Sequence, residues 1–82
     1  MEKEIGRITH YFPKISVAVV RLSGAIKVGD TIRIRGHSTD FAQKVESMQV
    51  EHKNIREASP GSEVGLKVDS AVKEGDTVYL EE

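Results

Sequence analysis

Eighty-two residues suffice for one small domain spanning 1–82, which would bury roughly 60% of the surface its unfolded chain exposes. With no cysteine in the chain, disulfides and thiolate metal sites are excluded, which fits a cytoplasmic protein. A net charge of −1 creates no general basic field, so any hold on nucleic acid requires a local patch. The start, Met1-Glu2-Lys3-Glu4, is charged and lacks the apolar core of a signal peptide. The most apolar run, Val17 to Val20, is far shorter than the roughly 20 residues that cross a bilayer, so no membrane partner is expected.

In chain order, Ile5 to His10 reads as a first strand. The spacing of Ile5 and Ile8 breaks strict alternation and predicts a bulge at Gly6. Pro13 suits the second position of a turn. Ile15 to Leu22 is rich in β-branched residues and apolar on both parities, as in a strand covered on both faces or curled into a barrel. Ser23-Gly24 turns the chain.

A ten-residue stretch then appears that occurs twice: Ala25-Ile26-Lys27-Val28-Gly29-Asp30-Thr31-Ile32-Arg33-Ile34, and Ala71-Val72-Lys73-Glu74-Gly75-Asp76-Thr77-Val78-Tyr79-Leu80. In each copy Gly can take positive φ and Asp can bond nearby backbone, so Lys-x-Gly-Asp predicts a turn that launches a strand. Alternation after the first turn places Ile32 and Ile34 inward, with Arg33 and Arg35 outward. Two copies are too few for a solenoid and predict two similar corners of one barrel.

Between the copies, Gly36 to Asp40 reads as a polar loop. Phe41 to His52 reads as one long strand, with a bulge near Glu46-Ser47 to reconcile the parities of Phe41 and Val45 with those of Met48 and Val50. Lys53 to Gly61 reads as a loop in which Asn54 and Glu57 could cap a single helical turn. Glu63 to Asp69 alternates, with Val64, Leu66 and Val68 inward. The whole predicts an all-β fold, a small closed six-stranded antiparallel Greek-key barrel.

Few residues announce chemistry. No phosphate-binding loop is present, and the glycines are dispersed among turns and strands. His10, His37 and His52 show no short metal-ligand spacing. His37, Ser38 and Asp40 are too close in sequence for triad geometry and read better as a polar turn. No catalytic residue, metal or cofactor is expected. Arg33 and Arg35 stand about 7 Å apart on one strand face, where paired guanidiniums can bind phosphates. Arg7, Arg21 and Lys44 could extend that patch. The plainer reading is a solvated barrel exterior whose cations pair with Glu46 or Glu51 across strands.

Three segments carry a family resemblance. Ile26-Lys27-Val28-Gly29-Asp30-Thr31-Ile32 resembles the strand entry of the second, β-barrel domain of elongation factor Tu and other translational GTPases. Pro60-Gly61-Ser62-Glu63-Val64-Gly65 is similar to that domain's Ala-Gly-Glu-Asn-Val-Gly, and Glu74-Gly75-Asp76-Thr77-Val78 to its last strand entry. Thr9 to Phe12, Gly36 to Phe41 and Gln49 to Asn54 look like short free-standing elongation factor-like proteins and the barrel appended to collagenase-like peptidases. The resemblance implies the same six-stranded barrel and a binding module rather than an enzyme. No GTP is expected, because the GTPase domain is not in this sequence. In factor Tu a Gly-Val-Glu-Met segment helps hold the aminoacyl end of tRNA; here the stretch is Ser47-Met48-Gln49-Val50, with Gln49 in place of the Glu. Two readings follow. One is a translation-related module binding tRNA or ribosomal RNA through Arg33, Arg35, Lys44 and Gln49. The other is a protein-interaction module that docks on a peptidase-like or GTPase-like partner.

Overall fold

The computed structural model describes residues 2–81. Among them there is no helix, and ten strands follow one another: β1 (Glu2–Phe12), β2 (Val17–Leu22), β3 (Ile26–Lys27), β4 (Thr31–Arg35), β5 (Asp40–Lys44), β6 (Met48–Val50), β7 (Lys53–Ile55), β8 (Glu57–Ala58), β9 (Glu63–Lys67) and β10 (Thr77–Glu81). Eight form one antiparallel sheet in the order β5-β4-β10-β1-β2-β9-β6-β7, and β3 pairs with β8. The fold is all-β as expected. The four strands beyond the expected six include β3, β7 and β8, two- and three-residue segments in stretches read as turn or loop.

Alternation builds the core. Ile32 and Ile34 of β4, Val78 of β10, Ala18, Val20 and Leu22 of β2, and Val64 and Leu66 of β9 all point into one aliphatic cluster. Strand β1 needs two bulges to join them. A register shift between Glu4 and Gly6 against β10 lets Ile5 and Gly6 both face inward, where the sequence placed a bulge. A second shift, between Ile8 and His10 against β2, turns Tyr11 onto the core and leaves Phe12 47% exposed. The β1–β2 turn has Pro13 in second position, with the Ile15 amide donating to the Phe12 carbonyl at 3.3 Å.

The two Lys-x-Gly-Asp copies adopt one geometry. Gly29 and Gly75 have φ of 100° and 92°, the left-handed backbone that glycine takes without a Cβ clash. The Asp30 amide donates to the Lys27 carbonyl while the Lys27 amide donates to the Asp30 carboxylate; Asp76 and Lys73 repeat both bonds. Each turn then docks on another strand in the same way. Gly29 donates to the Val45 carbonyl and Val45 to the Asp30 carbonyl; Gly75 donates to the Ile8 carbonyl and Ile8 to the Asp76 carbonyl. These are the two similar corners that the repeat predicts.

The stretch from Phe41 to His52 is not one strand. Chain leaves β5 at Val45 to dock on Asp30, and Met48 re-enters beside Leu66 of β9. It then turns back at Glu51 and His52, both at positive φ (50° and 66°). The helical turn expected at Asn54 to Glu57 does not form. Those residues lie on β7 and β8, and the Asn54 carboxamide oxygen accepts from Gln49 across the hairpin instead of capping a backbone amide.

Backbone pairing does not close the sheet into the expected barrel: β5 and β7 are its edges. A side chain bridges the gap. Gln43 of β5 is buried, its Nε2 donating to the Lys67 carbonyl at 2.8 Å and its Oε1 accepting from the Asp69 amide at 2.7 Å. A residue on the edge strand thus reaches the end of β9, four strands further on than its neighbour β4 in the sheet order, so the sheet curls back on itself.

Replacing Gln43 with Leu keeps the bulk but strips two backbone groups of their partner. A loss of about 2–4 kcal/mol in urea unfolding is expected, with faster hydrogen exchange at the Asp69 amide. The turn responds in the opposite sense. Glu51→Asn with His52→Gly supplies residues that tolerate positive φ, and the unfolding free energy should rise by about 0.5–1 kcal/mol.

Candidate functional site

Strand β4 lies between β5 and β10, so the outward Arg33 and Arg35 meet side chains from both. Register sets Arg33 between Ala42 and Tyr79, and Arg35 between Asp40 and Thr77. Carboxylates from three strands converge on the pair. Arg33 Nε lies 2.8 Å from Glu81 and 3.2 Å from Glu2, and one terminal nitrogen 2.8 Å from Asp40. Arg35 reaches Glu2 at 2.7 Å and Asp40 at 3.6 Å, and its guanidinium sits over the Tyr79 ring at 5.8 Å. The pairing expected across strands is present, but with Glu2, Asp40 and Glu81 rather than Glu46 or Glu51. Sequence distance hid it, because Glu2 and Glu81 come from the first and last strands, which the fold sets side by side.

Hydrogen bonds to Glu81 and then Asp40 raise the Arg33 pKa above its ordinary range. The bond from Arg33 holds the Asp40 carboxyl below the usual carboxylate value. Two guanidiniums facing three carboxylates leave one excess negative charge on this part of the surface.

The remaining expected residues are dispersed. Lys44 is exposed at the far end of β5, opposite Thr31. Gln49 is on β6, with β10, β1, β2 and β9 between it and β4 in sheet order. It lines a dent of about 380 Å³ with Ile15, Val17, Ser47, Gly65 and Lys67, and donates to Asn54 at 3.1 Å. Arg7 and Arg21 do join the Arg35 face. Arg35 pairs with Thr77, Thr77 with Arg7, and Arg7 with Arg21, one row across four strands.

The histidines stay apart in role. His10 stacks near Phe12 and lies 3.6 Å from Glu74, and no group of three metal-ligating side chains occurs among the described residues. Among the described residues no helix is long and apolar enough to cross a membrane. Sequence reasoning missed Gln43, although its signal was present: a lone polar residue at inward parity between Phe41 and Val45.

The Asp40 pairing has a pH signature. A carboxyl whose folded pKa is depressed contributes stability above its ordinary value of 3.8 and loses it as pH falls through the folded pKa. Wild-type protein should therefore be more stable than Asp40→Asn from about pH 5 upward, the difference closing below pH 4. Adding 0.5 M salt should narrow it at every pH. Paired thermal melts across pH check both.

Comparison with known proteins follows the same lines. An uncharacterized protease of Methanocaldococcus jannaschii is 45% identical over 78 residues, which cover 94% of this chain but 19% of that protein. In structure, the C-terminal domain of a Geobacillus thermoleovorans protein described as a U32 peptidase superposes with a TM-score of 0.89 at 22% identity, covering 95% of this chain and 91% of that one. Its selenomethionine variant gives 0.88, also at 22% identity, over 93% and 96%. At that identity the likeness concerns the fold. The family model for elongation factor Tu domain 2 matches residues 16–79, more than three quarters of the sequence, and the chain belongs to that family.

Proposed function

We propose that residues 1–82 act as a non-catalytic β-barrel module that docks on a peptidase-like protein in the cytoplasm. The observation that carries this reading is the 45% identity that spans nearly this whole chain yet only 19% of a protease. There the matching segment is one part of a larger polypeptide, and a barrel of this kind would meet such a body through its surface. One further feature supports it. The β1–β2 tip presents Phe12 and Ile15 at 47% and 59% exposure, apolar area of the kind that interfaces cover.

The alternative is tRNA or ribosomal RNA binding over Arg33, Arg35, Lys44 and Gln49. Its support is the family and the outward Arg pair. Against it weigh the three carboxylates already on Arg33 and Arg35, which a phosphate would have to displace, and the separation of Gln49 from them.

Capture from an extract of the source organism tests the choice. With the chain immobilised and the extract treated with ribonuclease, a peptidase-type protein identified by mass spectrometry should remain bound. Fluorescence anisotropy with tRNA and a ribosomal RNA fragment should show no saturable binding at about 0.15 M salt. Saturable RNA binding there, weakened by Arg33→Glu with Arg35→Glu, together with no retained peptidase, would overturn the docking reading.

A further inference from the structure

Arg7 and Arg21 stand directly opposite one another on β1 and β2, both exposed and on the outer face. Side chains so paired have Cβ atoms about 5 Å apart, and like charges there are destabilising. Arg33 and Arg35 show how the same barrel treats cations elsewhere: each is matched by carboxylates. Among the described residues neither Arg7 nor Arg21 has an ion pair or a side-chain hydrogen bond. Glu63 is the register partner of Arg21 on β9, but no contact of ion-pair length joins them. A concavity of about 370 Å³ is lined by the two arginines, by Ser23, whose hydroxyl can donate, by Thr9, whose hydroxyl donates to the Val19 carbonyl, and by Glu4.

The geometry points to an oxyanion seat in which Arg7 and Arg21 close on a single carboxylate presented by a protein partner. Two cations held side by side at a cost to folding are matched when one anion sits between them. A polyphosphate backbone suits the place less well. Glu4 lines the concavity and Glu63 closes the row beyond Arg21, so a continuous strand of phosphates would meet like charge on both sides. No aromatic side chain lines it to stack a base. A lone aspartate or glutamate places one charge between the two guanidiniums, without extending towards Glu63, and needs no stacking partner. This inference rests on the docking reading and names the contact that reading lacks.

The test separates a binding role from a structural one because the two move stability in opposite directions. Arg7→Thr should unfold at equal or higher denaturant, since it removes the repulsion, whereas a structural arginine would leave the variant weaker. In proton–nitrogen NMR of the intact chain at 0.15 M salt, a peptide carrying a single glutamate among neutral residues should shift the Arg7 and Arg21 side-chain signals saturably. Arg7→Thr should weaken that binding at least tenfold, and Arg33→Ser should leave it unchanged. Tighter binding of an RNA oligonucleotide than of the peptide at the same signals would overturn the carboxylate assignment, as would binding of neither. If wild type and Arg7→Thr with Arg21→Thr capture the same peptidase-type protein equally, docking stands and this seat falls. If wild type captures none, the docking reading falls and the peptide titration still decides the seat.

Discussion

One side-chain amide ties the β5 edge of the sheet back to the end of β9. A closed barrel would join these strands by backbone pairing, and here the chain turns away on both sides before a ladder can form between them. Val45 leaves β5 to bond with Asp30, and Val68 leaves β9 to bond with Ser16. Gln43 bridges the remaining space because its carboxamide carries the same donor and acceptor as a peptide group. It forms a ladder rung from a side chain, with the Lys67 carbonyl on one side and the Asp69 amide on the other. The core behind this seam is aliphatic apart from Met48, with no aromatic fully buried. Such a small core has little surplus to offset unpaired backbone at its wall, so closure by Gln43 is a condition for the packing rather than an addition to it.

The repeated turns set the opposite side of the same problem. Each one starts a long strand of the sheet and at once bonds to a residue elsewhere in the chain, Val45 for the first copy and Ile8 for the second. The equivalence is in backbone geometry, and the surroundings then diverge. Asp30 is half-buried, while Asp76 is buried beside Gly36, where a Cβ would collide with its carboxylate. One sequence device thus serves two corners, and only the second requires a bare backbone opposite it.

What could be read from the chain follows from how local each determinant is. Alternation in β4, β9 and β10, the Gly6 bulge and the paired turns are written in adjacent residues, and the fold class with them. The β6–β7 turn left no such mark, because Glu51 and His52 occupy positive φ without the Asn-Gly chemistry that announces it. Phe41 to His52 consequently reads as one strand. The outward direction of Arg33 and Arg35 was equally legible, but their partners were not. Glu2 and Glu81 lie at opposite ends of the sequence, and only the β1–β10 ladder makes them neighbours.

That contrast bears on what the outer face is for. The guanidiniums of β4 pair with carboxylates from β5, β10 and β1, so the fold itself supplies their counter-charge, even though their residue type is the one that binds phosphate. Two and three strands away, Arg7 and Arg21 have no such counter-charge among the described residues and repel each other. On a small barrel with a net charge of −1, a cation that stabilises the fold and a cation available to a partner cannot be told apart by identity or exposure. They are told apart by whether the fold has supplied a counter-charge, and here the register of four strands makes that division.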